Sequence, residues 1–459
     1  MRLFLLPALL LAIAPALAQP VPAEDAHARA VAAGYKALTL CSAHFSAGRS
    51  QAQVEAFELR GIYPEYDALV QALPARIDPQ RRMVSVPFDP QLPPRIAAWR
   101  PNLGCAQLPI GADAGAAAML PRFDAPAPDL DARPWPLGER DATAAVAGDA
   151  QALQRAVAAA FDPARFGEGH ATTGVVVLQG GKIVGERYRD GFGPHVAQRT
   201  WSVAKSLAGT LVGVAAAQGL LDPAQPAPVP EWQRSGDPRA AITFDQLLRM
   251  ASGLYSDTAG NRTDALYFGG ATVAEAAAGW PLQAPPGTSF RYANNDIVLA
   301  VHALRAATGD DARALARPYT DLFWPLGMTR THAETDWQGG FVLSSQVWST
   351  ARDLARFGLL YQDDGVFGGR RLLPEGWVRD ASAPSGPQPD GEFGYGATLW
   401  LLQRSPGVPP DTFAAFGNRG QYVVVVPARK VVIVRRGEDP AGHRFDIAGF
   451  VAEVLAALD

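Results

Sequence analysis

"QYVVVVPARKVVIVRR", residues 421–436, sets two runs of β-branched residues around a turn at Pro427. Such runs suit a pleated, buried surface, and a turn residue between them reads as a hairpin. A counterpart lies far upstream. "TGVVVLQGGKIVGERY", residues 173–188, repeats the design with Gly180-Gly181 at the bend. The sequence between the two is mostly helical in period. Helices are also expected at "DAQALQRAVAAAF" before the first hairpin and "DIAGFVAEVLAALD" after the second. Hairpins at both ends of a helical stretch predict one antiparallel sheet flanked by helices and interrupted by a helical insertion. That is an α+β arrangement, not alternating βαβ units.

This pattern occupies residues 146–459. Ahead of it, residues 111–145 are rich in Pro, Ala and Asp and read as a linker. Residues 19–110 form an N-terminal accessory domain in this reading, helical over 22–60 and with a short strand at "RRMVSVPF". Residues 1–18 have a basic start, an apolar stretch and an Ala-Leu-Ala end, the pattern of a cleaved signal peptide. The alternative is a membrane anchor, for which Leu3–Leu17 falls short of the ~20 residues a span needs. The expectation is a periplasmic or secreted protein without a stable membrane anchor. Export gives meaning to the only two cysteines, Cys41 and Cys105. A disulfide is the default for an even count in an oxidising compartment, with two buried thiols as the alternative.

Charge and motif content narrow the function. The net charge is −4, with no basic run that would favour nucleic acid. The histidines are scattered, no His-Glu-x-x-His or cysteine cluster is present, and no glycine-rich phosphate cradle occurs. No metal and no cofactor are expected.

Of 41 basic residues only Lys36, Lys182, Lys205 and Lys430 are lysines. Lys205 lies three positions after Ser202 in "SVAKSLAGTLVGVAAAQG", an apolar helix running to a glycine stop at Gly219. Residues three apart share a helix face, so the amine can reach the hydroxyl. Serine becomes a nucleophile when a base takes its proton. A buried lysine can be that base because desolvation disfavours its charged form, whereas arginine keeps its proton. Alone, Ser-x-x-Lys arises by chance in about one of two chains of this length.

Two further stretches support it. Tyr292-Ala293-Asn294 follows a Pro-Gly turn and opens an apolar helix. A phenol there can relay protons, and the carboxamide can hold the lysine or a substrate carbonyl. "AAFGNRGQYVVVV", residues 414–426, enters a strand through glycines. Its backbone N–H and that of Ser202 would make an oxyanion hole.

In this order the three motifs resemble the serine hydrolases related to class C β-lactamases and DD-peptidases. "ITFDQLLRMASGL" (242–254) and "LFWPLGMTRT" (322–331) are similar to lesser landmarks of that family. The nearest branch is that of 6-aminohexanoate-dimer hydrolases and related esterases, which Gly417 to Gln421 resemble in style. The resemblance implies Ser202 as acylated nucleophile, Lys205 as base and Tyr292 as proton relay. Asn294, Gly417 and Gln421 fall to substrate or oxyanion contacts. One departure bears on substrate. Relatives carry Lys-Thr-Gly or His-x-Gly at the strand, whereas Ala414-Ala415-Phe416 precede Gly417 here. Without a cation to grip a carboxylate, a small neutral amide or ester is expected. The alternatives are a β-lactamase or DD-peptidase, and a catalytically silent binding protein on the same fold.

Overall fold

A computed structural model describes residues 25–255 and 264–459. The expected signal peptide lies outside them, as does most of the loop after Tyr255. Among the described residues no helix is long and apolar enough to cross a membrane.

The N-terminal segment opens with α1 (Ala26–Ala47), capped by the Asp25 carboxylate and closed at Gly48, and continues to α2 (Pro64–Ala72). It then forms a four-stranded antiparallel sheet of β1 (Arg76–Asp78), β2 (Met83–Val86), β3 (Arg95–Arg100) and β4 (Gly104–Gln107). Cys41 of α1 and Cys105 of β4 are joined by a disulfide. Residues 111–145 are tied down along their length despite their linker composition. Trp135 is buried, and Arg356 donates to the carbonyls of Pro136 and Gly138 and to Glu139.

Helix α3 (Ala150–Ala159) leads into the first hairpin, β5 (Thr172–Gln179) and β6 (Lys182–Tyr188). Short β7 (Gln198–Arg199) precedes α4 (Val203–Ala217), and α5 (Asn294–Thr308) lies in the helical middle. Strands β8 (His332–Ala333) and β9 (Val347–Ser349) join β7 in a three-stranded sheet, followed by α6 (Ala351–Gln362). The chain returns through β10 (Gly394–Tyr395), β11 (Trp400–Leu401), β12 (Phe413–Gly417), β13 (Gln421–Val426) and β14 (Val431–Gly437), and ends with α7 (Ile447–Ala457).

The main sheet runs β10-β11-β12-β13-β14-β5-β6, so the C-terminal hairpin pairs antiparallel with the N-terminal one, as the sequence predicts. Its valine runs are continuous because both faces are covered. Val175, Val177, Val424 and Ile433 pack with α3 and α7. Their neighbours Val176, Leu178, Val425 and Val432 belong to a larger core with α4, α5 and α6. At Gly358 of α6 a Cβ would come within 2.4 Å of Val432, so the helix lies close on the sheet only because that position lacks a side chain. The larger core also takes in Val31, Tyr35 and Leu40 of α1, which makes the apolar interior continuous from the N-terminal segment to the Ser202 helix.

Candidate active site

Ser202 caps the start of α4, and its N–H makes no backbone hydrogen bond among the described residues. Trp201 before it holds φ +49°, a left-handed conformation that a bulky side chain rarely adopts. Such strain persists only where neighbours fix it. Here Arg199 does so, with its guanidinium carbon 3.7 Å from the centroid of the Trp201 ring.

Lys205, one turn on, is 1% exposed. Its Nζ lies 2.8 Å from Ser202 Oγ, 2.6 Å from Asn294 Oδ1 and 2.9 Å from the Ser344 carbonyl. Two of these partners can only accept. A neutral amine has two N–H groups and one lone pair. With the N–H groups on Asn294 and Ser344, the lone pair is left facing the Ser202 hydroxyl. Burial, and secondarily the charge of Arg199, bring the Lys205 pKa down from 10.5 to about 7. No carboxylate lies within ion-pair distance of this amine among the described residues.

Tyr292 comes from the loop ahead of α5. That loop is held by Arg291 N–H donating to the Met250 carbonyl and Ala293 N–H to the Met250 sulfur. Tyr292 faces the same cleft as Ser202 and Trp400, and its ring lies 5.0 Å from Lys205 Nζ. Burial raises its pKa above the usual phenol range, an effect that the neighbouring Ser202 and Trp400 only partly offset. One turn into α5, the Asp296 carboxyl is buried against Ser252, which donates to it at 2.8 Å; burial raises its pKa to about 7.

Gly417 ends β12 against Ser202. A Cβ there would lie 2.3 Å from the Thr200 carbonyl and 3.1 Å from Ser202 N, so the approach requires glycine. Ser202, Tyr292, Asn294 and Gly417 thus line one cleft of about 510 Å³, with the Lys205 amine at its floor. Gln421 does not join them. Its side chain is fully buried, donating to the Arg419 carbonyl and accepting from Arg436 Nε. Its strand position is as expected, but its side chain lies on the far side from the cleft and bonds Arg419 and Arg436.

Several cleft residues escape a reading of the sequence. Tyr63, Trp201, Tyr267, Trp400 and Phe416 wall it, with Ser345 and Asn418 as polar groups. Tyr267 and Ser344 hydroxyls bond to each other, and Arg199 donates to Ser345 through both its carbonyl and hydroxyl. The adjacent serines of "FVLSSQVW" within an apolar run are the one local signal for this set.

The profile of the β-lactamase family matches residues 144–455, more than half of the chain, and the chain belongs to that family. It is a β-lactamase-fold hydrolase related to 6-aminohexanoate-dimer hydrolase. The Paenarthrobacter ureafaciens enzyme of that name is 28% identical over 326 residues, spanning 63% of this chain and 79% of its own length. A Bacillus anthracis structure provisionally assigned to the same group superposes with a TM-score of 0.54 at 21% identity, covering 74% of this chain and 87% of its own. A class C β-lactamase gives 0.51 at 16% identity, covering 67% and 96%. These two structures share the fold.

Proposed function

We propose that the protein is an exported serine hydrolase that cleaves a neutral amide or ester through an acyl-enzyme on Ser202. The observation that carries this reading is the Lys205 amine held by two acceptors, Asn294 and Ser344, and by the Ser202 hydroxyl, its one partner able to donate among the described residues. In acylation, Lys205 takes the hydroxyl proton as Ser202 Oγ attacks the carbonyl carbon. The oxyanion is met by the N–H of Ser202 and an N–H at the β12 end beside Gly417. Collapse breaks the bond to the leaving group, which takes a proton through Lys205 and Tyr292. Water then adds to the acyl-enzyme with its proton passing to the same pair, and the acid is released with Ser202 restored.

The cleft supports a neutral substrate, since no charged side chain lines it among the described residues. Export is supported by the signal-like first 18 residues together with the Cys41–Cys105 disulfide.

A screen of p-nitrophenyl esters, 6-aminohexanoate oligomers, a chromogenic cephalosporin and D-Ala-D-Ala peptides tests the reading, with Ser202→Ala as blank. Turnover of esters or linear amides is expected. Preferred turnover of the cephalosporin or the peptides would overturn the substrate class. Failure to form an adduct with a serine-directed phosphonate would make the protein a silent binder.

A further inference from the structure

The cleft wall includes Tyr63, which lies outside the 144–455 family match. Its ring stands edge-on to Trp201 (centroids 6.4 Å, 88°) and tilts toward Phe268 (5.9 Å). On the same cleft Phe416 stacks with Trp400 (5.7 Å, 16°), and Tyr292 packs on Trp400 (5.4 Å).

Tyr63 is held from the catalytic side. Arg419, at the tip of the hairpin that carries Gly417, donates to the carbonyls of Phe57, Glu58 and Arg60. Ala441 N–H donates to the carbonyl of Gly61 at 2.8 Å, and Tyr66 donates to Asp264 at 3.1 Å. Tyr63 then caps α2 with Pro64 as its first residue. A surface tyrosine would need none of this anchoring.

We infer that Tyr63 is a specificity-determining residue, through which the N-terminal segment completes a cleft for neutral esters or amides bearing an aryl group next to the scissile bond. The inference rests on the hydrolase reading above and adds the substrate class. Aromatic pairs favour offset or edge-to-face contact, worth about 0.5–1.5 kcal/mol beyond burial. Two groups of rings framing one cleft suit a planar apolar substituent better than a flexible one.

The test compares three thioesters read by released thiol: S-ethyl butanethioate, S-ethyl phenylethanethioate and S-benzyl butanethioate. Wild type should prefer at least one aryl substrate to the all-alkyl one. Tyr63→Leu should lose on the order of 10-fold in kcat/KM on that aryl substrate. It should stay within about 2-fold on the all-alkyl one, and Tyr63→Phe should keep most of the preference. Labelling of Ser202 by a small alkyl fluorophosphonate should proceed at the wild-type rate in Tyr63→Leu, which separates specificity from damage to the nucleophile. Equal loss on all three substrates, slowed labelling, or a wild-type preference for the all-alkyl ester would each overturn the inference. A wild type that neither cleaves nor labels would instead overturn the hydrolase reading itself.

Discussion

Lys205 Nζ and Asn294 Oδ1 are 2.6 Å apart on two helices whose contact joins positions 89 residues distant in the chain. The carboxamide is neutral, so it orients the amine without favouring its protonated form. Asn294→Asp keeps the shape and adds a charge. Opposite charge at this distance favours the ammonium. In the wild type the acid limb of kcat/KM should fall near pH 7, with activity rising as Lys205 loses its proton. Asn294→Asp should move that limb upward by one pH unit or more, as a pH–rate profile of both enzymes will show.

Lys205→Arg places a permanent cation where the proposed mechanism needs a neutral amine. General-base assistance is worth about 10²–10⁴-fold, so at least that much activity should vanish, and Lys205→Met should fail equally. Circular dichroism checks that both remain folded. Near-wild-type turnover by Lys205→Arg would remove the base assignment.

Lys205 also leaves a thermodynamic signature. The folded protein releases this proton near pH 7, whereas an unperturbed lysine holds it to 10.5. Between those values the unfolded chain binds the extra proton, so the wild type gains stability over Lys205→Met as pH rises, by up to about 1.4 kcal/mol per pH unit. Below pH 7 the difference should be flat. Paired urea titrations at pH 6, 7, 8 and 9 measure it.

Gly417→Ala would press a methyl group against the Thr200 carbonyl and the Ser202 amide. Relief requires β12 to withdraw from the nucleophile. The loss of one oxyanion donor costs about 10²–10³-fold in kcat, and that is the expected deficit, with KM changed much less. A steady-state comparison that left kcat intact would place the oxyanion elsewhere.

The Cys41–Cys105 bond closes a loop over a sequence separation of 64. On chain entropy such a link contributes roughly 4 kcal/mol. Cys41→Ala/Cys105→Ala should therefore unfold at clearly lower denaturant, and peptide mapping of the wild type without reductant should recover the linked pair. Two alkylatable thiols in that material would sink the expectation.

The hairpins at 173–188 and 421–436 and the Ser202 helix are legible in the sequence because their periodicity is local. Ser202, Lys205 and Tyr292 could be picked out because the chemistry demands those side-chain types at short spacing. Arg199, Ser344 and Ser345 could not. Their part in the site comes from the pairing of β7 with β9, hinted at locally only by the adjacent serines just before β9. Tyr63 was hidden more completely, since its neighbours in the cleft are more than a hundred residues away. Gln421 shows the converse, a motif position whose side chain turns away from the cleft toward Arg419 and Arg436.

Arg419 forms a buried ion pair with Glu438 at 3.0 Å and donates its remaining N–H groups to carbonyls of residues 57, 58 and 60. A chain cut back to residues 144–455 would deprive that guanidinium of the three carbonyls and leave it only Glu438, inside a site where an unmet polar group is costly. Residues 57–60 and the tip of the 413–426 hairpin therefore behave as one mechanical unit, so a change that loosens either end is felt at the other.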